Sequence, residues 1–175
     1  MLSESITKAL NDQINAELYS AYLYLSMSAY AEDAGLKGVA NWMWVQTKEE
    51  TAHAMHMYQY VLDRGESPVL KTIDAPDAAF AGIKDLFEKT LAHEKMVTER
   101  INKIATLAMQ ENDHACYQFI MWYVNEQVEE ESNASDLLSK LELIGDNRHM
   151  LLSFDQDLAT RIYNNPFPTG AKLIG

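Results

Sequence analysis

The sequence predicts an all-α protein: a four-helix bundle with one long crossover between its second and third helices, followed by a short fifth helix. Apolar residues recur at helical spacing through four long segments, and no strand-like alternation interrupts them. The seven glycines and four prolines are few for 175 residues, and they cluster at the breaks between those segments. We expect the bundle over about residues 5–144 and the fifth helix over about 148–163, within a single domain covering residues 1–175.

Most of the helices have a start or stop signal in the sequence. A glycine-rich turn at residues 35–38 ends the first helix, and Gly65 is positioned to cap the second. Asn112 or Asp113 can cap the fourth helix, which stops at Gly145. The five helices are therefore predicted over about Ser5–Ala34, Val39–Arg64, Asp77–Glu111, Asp113–Ile144 and Arg148–Tyr163.

The lengths of the connections determine how the helices are arranged. Short turns after helices one and three make each of them an antiparallel hairpin with the helix that follows. The middle connection, about Gly65 to Pro76, reaches about 40 Å when extended. A helix of about 26 residues has the same length, so this connection can cross the whole bundle and leave helices two and three parallel.

Composition and charge exclude several classes of protein. An apolar fraction of 47% argues against a disordered chain. The formal net charge of −12 argues against nucleic acid as a partner, because phosphate binding needs basic patches, and it suits a protein that attracts cations. Cys116 is the only cysteine, which rules out an internal disulfide and a thiolate metal cluster. We expect a cytoplasmic protein with no membrane contact, since the sequence shows neither a signal-peptide pattern nor a long apolar run.

Carboxylates stand inside the apolar stripes of all four long helices. Glu50 and His53 are three residues apart and project from one face of helix two. Glu17, Glu94 and Glu130 occupy similar positions in the stripes of the other three helices. A carboxylate in an apolar core is costly unless it is paired or binds a metal, so four helices contributing such groups to one bundle indicate bound cations.

This residue pattern is typical of a dimetal-carboxylate site. In a helix bundle, such a site takes one Glu from each of two helices and a Glu-x-x-His motif from each of the others. Here helix four has Gln127-Val128-Glu129-Glu130 where a second Glu-x-x-His would stand. Oxygen ligands with one imidazole suit iron, manganese or zinc, and redox chemistry restricts the choice to iron or manganese.

Five stretches of the sequence resemble the bacterial and archaeal-type non-haem ferritins, and the resemblance covers essentially the whole chain. They are NAELYSAYLY at 15–24, EETAHA at 49–54, His93-Glu94, WYVNEQVEEE at 122–131 and LELIGD at 141–146. The resemblance implies a ferritin-like bundle that oxidises Fe²⁺ to Fe³⁺ with O₂ or peroxide and stores ferric mineral inside a hollow cage. It also implies a homo-oligomer of 24 subunits, with the fifth helix near the fourfold contacts.

The resemblance also implies roles for individual residues. The dinuclear iron centre would be formed by Glu17, Glu50 and His53 for one iron and by Glu50, Glu94 and Glu130 for the other, with Gln127 nearby. A third iron site would be formed by Glu49, Glu126, Glu129 and Glu130. Tyr24 matches a tyrosine that joins electron transfer beside the centre, and Trp122 lies near it in similar proteins.

Haem-binding bacterioferritins resemble this chain less, so no haem is expected. Those proteins carry a second Glu-x-x-His on helix four, where this chain has Gln127 and Glu130. They also have Met directly after the Glu of the helix-two motif, where this chain has Thr51. The nine methionines are interpreted as core filling rather than as haem ligands.

Two other functions stay open at this point. A dimetal-carboxylate oxidase or oxygenase subunit acting on a small organic substrate uses similar ligands, although such chains are generally much longer. A metal-free structural bundle would need its interior carboxylates protonated or paired with Lys or Arg, and the stripes around Glu17, Glu50 and Glu94 show no obvious basic partners.

The other histidines, Asp113 and Cys116 are not expected to bind the metal ions. We expect His56 at the surface or an interface, His149 at the surface, and His93 pointing about 100° away from Glu94 on its helix. Asp113 is expected to cap helix four or, with His114, to lie at a pore, and Cys116 is expected in the core or an interface.

Overall fold

The computed structural model describes residues 1–167 and contains five α-helices. They are α1 (Glu4–Asp33), α2 (Lys37–Asp63), α3 (Ile83–Gln110), α4 (His114–Ile144) and α5 (Arg148–Leu158). No strand occurs within these described residues, and the predicted all-α fold class is confirmed. None of the described helices is both long and apolar enough to cross a membrane. Residues 168–175, the end of the predicted single domain, lie outside the described part of the chain.

Helices α1 to α4 form a bundle in which α1 packs on α2 and α3 packs on α4. Contacts between α1 and α3 show their relative direction, because Thr90 bonds to Met27 whereas Arg100 bonds to Gln13. Helix α3 is therefore antiparallel to α1. Since α2 folds back on α1 through a short turn, α2 and α3 are parallel, and residues 64–82 form the long crossover between them.

The apolar core consists of two clusters, one toward each end of the bundle. The first is built from the early part of α1, the later parts of α2 and α3, and the early part of α4, and the second uses the opposite halves of the same helices. In each helix a predicted carboxylate ligand falls between the two clusters, and His53 of α2 lies at the edge of the first one. In α1, for example, Glu17 lies between Ile14 of the first cluster and Leu23 of the second. The bundle therefore has a polar layer midway along its length, closed at both ends by apolar packing.

The ends of α2 and α4 follow the signals in the sequence. Asp113 caps α4 by accepting a 2.9 Å hydrogen bond from the Cys116 N–H. Its carboxylate also pairs with Arg64 at 2.7 Å, which joins the end of α2 to the start of α4. Gly65 and Gly145 have φ angles of +81° and +53° just past the ends of α2 and α4, a conformation that favours glycine. Both predicted stops are confirmed.

Helix α3 begins at Ile83, so the predicted start at about Asp77 was wrong. Gly82 has a φ angle of +126°, which is incompatible with a continuous helix through this residue. The preceding backbone is held by a contact with α1, because the Ser26 hydroxyl donates a 2.8 Å hydrogen bond to the Asp77 carbonyl oxygen. Contacts with another helix thus override the helix propensity of this alanine-rich stretch.

Helix α5 ends at Leu158, short of the predicted end at Tyr163. The Asn41 side-chain amide donates hydrogen bonds to the carbonyl oxygens of Leu158, Ala159 and Arg161, at 3.3, 3.4 and 3.0 Å. These carbonyls are therefore bound by α2 rather than by a further turn of α5. Residues 159–167, called the return segment below, leave α5 at this point.

Helix α5 packs across the start of α2. Asp155 Oδ1 accepts a 2.8 Å hydrogen bond from the Val39 N–H, one of the first N–H groups of α2, which have no partner within their own helix. Gly38 allows the two helices to approach this closely, because a Cβ atom there would lie 1.6 Å from the Asp155 carbonyl oxygen. The position of α5, and of the return segment after it, depends on this glycine.

Candidate metal centre

Three of the predicted ligands converge in the polar layer between the two apolar clusters. Glu17 comes from α1, and Glu50 and His53 come from adjacent turns of α2. One possible ligand atom of each residue lies within 4.8 Å of those of the other two, a spacing at which one ion can contact all three. His53 Nδ1 is 3.5 Å from Glu50 Oε2. The three residues are nearly inaccessible to solvent, with exposed fractions of 2%, 3% and 2%.

Two further buried carboxylates, Glu94 and Glu130, lie close to this triad. They are 1% and 4% exposed, and their charges act on Glu50, whose pKa they raise in addition to the effect of burial. The Tyr24 hydroxyl donates a hydrogen bond to Glu94, and Gln127 Nε2 donates to the other carboxylate oxygen of Glu94 at 3.0 Å. Helices α3 and α4 thus each add one carboxylate to the polar layer.

Neutral amides, rather than cationic side chains, hold the carboxylates in place. Gln13 Nε2 donates to Glu17 at 2.8 Å, and Gln46 Nε2 donates to Glu130 at 2.9 Å. Arg100 lies behind Gln13, to whose Oε1 atom it donates a 3.0 Å hydrogen bond, so an amide stands between this cation and Glu17. The amides fix the orientation of the carboxylates without neutralising them, which leaves negative charge for a bound cation.

Burial and mutual repulsion raise the pKa values of these carboxyl groups. Burial is the largest cause at Glu50, followed by the charges of Glu94, Glu17 and Glu130. Burial raises the pKa of Glu94 to about 7, and burial followed by the charge of Glu94 raises the pKa of Glu130 well above its usual range. In the metal-free protein the cluster therefore retains protons near neutral pH, and an incoming divalent ion displaces them.

His53 offers a neutral imidazole to the cluster. Burial lowers its pKa to about 3, so the ring carries a lone pair at neutral pH. Its Nε2 atom has no hydrogen-bond partner among the described residues. One imidazole nitrogen beside several carboxylate oxygens is a donor set that suits Fe²⁺, so the residues present fit iron.

Comparison with known proteins identifies the family. The family described as Ferritin-like domain matches residues 7–144. A bacterial non-heme ferritin of Staphylococcus haemolyticus is 39% identical over 164 residues, which cover 94% of this chain and 99% of that protein. The chain belongs to the ferritin family. A probable bacterial non-heme ferritin-like protein of Haemophilus influenzae is also 39% identical, over 158 residues that cover 90% of this ferritin and 96% of that protein.

Solved ferritin structures share the fold. An open pore ferritin of Archaeoglobus fulgidus aligns with a TM-score of 0.91 and 48% identity, over 93% of this ferritin and 99% of that chain. An engineered closed form of the Archaeoglobus ferritin aligns with a TM-score of 0.92 and 47% identity, over 94% and 100% of the two chains. The resemblance seen in the sequence is confirmed, and the protein is an iron-storage ferritin.

The residues predicted for the third iron site of this ferritin lie on neighbouring faces of α2 and α4. After burial, the charge of Glu129 contributes to raising the pKa of both Glu49 and Glu126, so the three carboxylates are close enough to interact. Glu49, however, accepts a 2.5 Å hydrogen bond from Arg161 Nη2. Arg161 was not among the predicted site residues, because it comes from beyond α5 and no local pattern connects it to α2.

Aromatic side chains surround the centre. Tyr24 is completely buried, and burial together with the charge of Glu94 raises its pKa well above its usual range, so its hydroxyl stays protonated and donates to Glu94. The Trp122 ring centroid lies 5.5 Å from that of His53, and the Tyr123 hydroxyl donates a 3.1 Å hydrogen bond to the His53 carbonyl oxygen. Tyr24 is thus in direct contact with a predicted iron ligand.

Two histidines outside the triad are more enclosed than their positions in the sequence suggest. His56, expected at a surface or interface, is half-buried within the subunit, with Nδ1 3.0 Å from the Tyr123 hydroxyl and its ring 3.8 Å from that of Phe167. Helical spacing carries no information about Phe167, which arrives from the return segment. His93 is buried with Nε2 2.7 Å from the Ser20 hydroxyl, and the side chain is not part of the triad.

Two amide residues that position the ligands were also missed. Gln13 stands four residues before Glu17, so the usual spacing of interacting helical side chains was a signal that could have found it. Gln46 stands four residues before Glu50 in the same way, but it bonds to Glu130 on α4 instead. The second contact depends on how two helices pack and could not be found from either helix alone.

Proposed function

We propose that this ferritin is a ferroxidase, which binds two Fe²⁺ ions at a dinuclear centre in each subunit and oxidises them to Fe³⁺ with O₂ or peroxide. The observation that carries the proposal is the buried triad of Glu17, Glu50 and His53, with Glu94 and Glu130 close to it. The ferric product is stored as mineral inside a hollow homo-oligomer, for which family membership supports 24 subunits. The chain acts as one domain in the cytoplasm, where a free cysteine such as Cys116 is stable.

Each side chain of the proposed centre is assigned to one or both of the two substrate ions. Glu17 and His53 would hold the first ion, Glu94 and Glu130 would hold the second beside Gln127, and Glu50 would be shared by both. The positive charges of the ions replace the protons that the cluster holds in the metal-free protein. Binding therefore relieves the repulsion that raises the pKa values of Glu50 and Glu130.

The fixed negative charge of the centre favours oxidation of bound iron. Each Fe²⁺ loses one electron, and the additional positive charge interacts more strongly with the carboxylates than the original charge does. Two electrons and two protons convert O₂ to H₂O₂, or H₂O₂ to two water molecules. Tyr24 would orient a ligand of the second ion and take part in the electron transfer, a role supported by the hydrogen bond that its hydroxyl donates to Glu94.

The rate of iron oxidation tests this assignment. Fe²⁺ is added without oxygen to metal-free protein, O₂ is then admitted, and formation of Fe³⁺ is followed by absorbance. Glu50→Gln and His53→Ala are each expected to slow oxidation at least about tenfold, because each removes a direct ligand. Glu99→Gln, an exposed position on α3, is the matched control and should oxidise iron at the normal rate. Normal rates in both ligand variants would refute the site assignment.

A further inference from the structure

The return segment lies along α2 and reaches the level of the metal centre. Its first contact is with Asn41, in the second turn of α2, whose side-chain amide donates to backbone carbonyls near the end of α5. Its last described residue is Phe167, whose ring centroid lies 6.0 Å from that of His53. The segment therefore covers the part of α2 that carries the ligands of the proposed centre.

Arg161 is the charged residue of the return segment, and α2 holds its guanidinium in a defined position. The guanidinium carbon lies 4.6 Å from the centroid of the Trp42 ring, and Nη1 donates a 3.3 Å hydrogen bond to the Trp42 carbonyl oxygen. Nη2 donates a 2.5 Å hydrogen bond to Glu49 Oε2, and the two side chains are only 23% and 18% exposed. Stacking and two directional hydrogen bonds distinguish this arrangement from a loose surface ion pair.

The charge of Arg161 acts on both the third site and the dinuclear centre. It opposes the rise in pKa that burial causes at Glu49, and it has the same effect at Glu130. The predicted third site adjoins the dinuclear centre at two residues. These are Glu49 on α2 and Glu130 on α4. The guanidinium of Arg161 therefore supplies positive charge to the carboxylates that would otherwise be neutralised by a third metal ion.

We propose that Arg161 is the built-in counter-ion of the third carboxylate site, and that a metal ion binds Glu49 there only when the guanidinium is displaced. This inference rests on the proposed function, because the third site receives iron that leaves the dinuclear centre. A divalent ion and the guanidinium compete for the same carboxylate and repel each other at short range. The return segment thus controls how readily iron occupies the third site.

Equilibrium binding of Zn²⁺, which undergoes no redox change, tests the proposal. Calorimetric titration of the metal-free assembly gives the number of ions bound per subunit and their affinities. Arg161→Gln is expected to bind one more Zn²⁺ per subunit, or to bind its weakest ion about tenfold more tightly, because one charge-assisted hydrogen bond no longer competes. The double variant Arg161→Gln/Glu49→Gln should lose this gain. Arg161→Lys, which keeps the charge but lacks the planar fork, should show a smaller gain in the same direction.

Two control variants and a check of assembly make the result decisive. Arg148→Gln removes an exposed arginine of α5 and should bind Zn²⁺ as the unmodified protein does. Binding by Arg161→Gln and Arg161→Lys with unchanged number and affinity would overturn the proposal and leave Arg161 a purely structural anchor. His53→Ala tests the proposed dinuclear site separately. If that site is assigned wrongly, His53→Ala will bind as many Zn²⁺ ions per subunit as the unmodified protein does. This outcome does not depend on how the Arg161 variants bind Zn²⁺. Size-exclusion chromatography confirms that each variant is assembled.

Discussion

Replacing Glu94 by glutamine is expected to stabilise the metal-free protein. Burial raises the pKa of Glu94 from 4.5 to about 7. The folded state then binds more protons than the unfolded state between these two values, so stability is lost as the pH rises from 4.5 and the loss is complete above about 7. At about 1.4 kcal/mol for each pKa unit, the penalty is about 3 kcal/mol at pH 8 and about 1 kcal/mol at pH 5.5.

Glutamine fits this position because it can keep a hydrogen bond to each partner of Glu94. Its amide oxygen can accept from Gln127 Nε2, and its amide group can donate to the Tyr24 hydroxyl oxygen, which reverses the direction of the bond that Tyr24 makes to Glu94. The substitution also relieves Glu50 and Glu130, for which Glu94 is the largest neighbouring charge. The expected gain at pH 8 is about 3 kcal/mol, which corresponds to a thermal midpoint roughly 6–12 °C higher for a chain of this size.

Calorimetric scans at fixed protein concentration and scan rate measure this effect at pH 8 and pH 5.5. Zn²⁺ at 1,000 times its Kd should reverse the order of the two proteins, because it stabilises the unmodified protein by about 4.1 kcal/mol, more than the expected gain, whereas Glu94→Gln has lost a ligand. Glu99→Gln, exposed on the same helix, should change stability by less than about 0.5 kcal/mol. Two results would refute the reasoning. One is a thermal midpoint of metal-free Glu94→Gln that is no higher than that of the unmodified protein at pH 8. The other is a difference between the two midpoints that is no smaller at pH 5.5 than at pH 8.

Two other substitutions test how the fold supports the centre. Gly38→Ala would place a Cβ atom 1.6 Å from the Asp155 carbonyl oxygen, so α5 must move. A loss of roughly 1–3 kcal/mol is expected and would appear as a lower thermal midpoint, and an unchanged midpoint would show that α5 adapts freely. Tyr24→Phe removes the hydroxyl that donates to Glu94, so iron oxidation should slow while the number of bound Zn²⁺ ions stays the same. A lower Zn²⁺ count in that variant would instead indicate a role in ligand geometry.

The long helices and their buried faces could be predicted because both depend on local spacing. Apolar residues three and four apart locate the faces of α1 to α4, and a carboxylate interrupts each face. That pattern predicted that Glu17, Glu50 and Glu94 belong to the interior of one bundle before any contact was known. The predicted cap at Asp113 also follows from local chemistry, since the capping bond joins residues three apart.

The features that the sequence could not supply all depend on contacts between distant residues. The start of α3 is set partly by a hydrogen bond from Ser26 to the Asp77 carbonyl, and the end of α5 by Asn41. Arg161 and Phe167 reach α2 only after the chain has passed through α5. No periodicity within one helix records such contacts.

The two apolar clusters explain how the protein tolerates a layer of repelling acids. Burial at the two ends of the bundle does not depend on the protonation of the middle layer, so those ends can hold the fold while the layer stays destabilising. The repulsion that raises the pKa values of Glu50 and Glu130 is the same energy that a bound cation releases. An apolar layer would make a more stable bundle with no affinity for iron. The free energy that the metal-free fold loses at this layer is therefore part of the free energy with which the centre binds its ions.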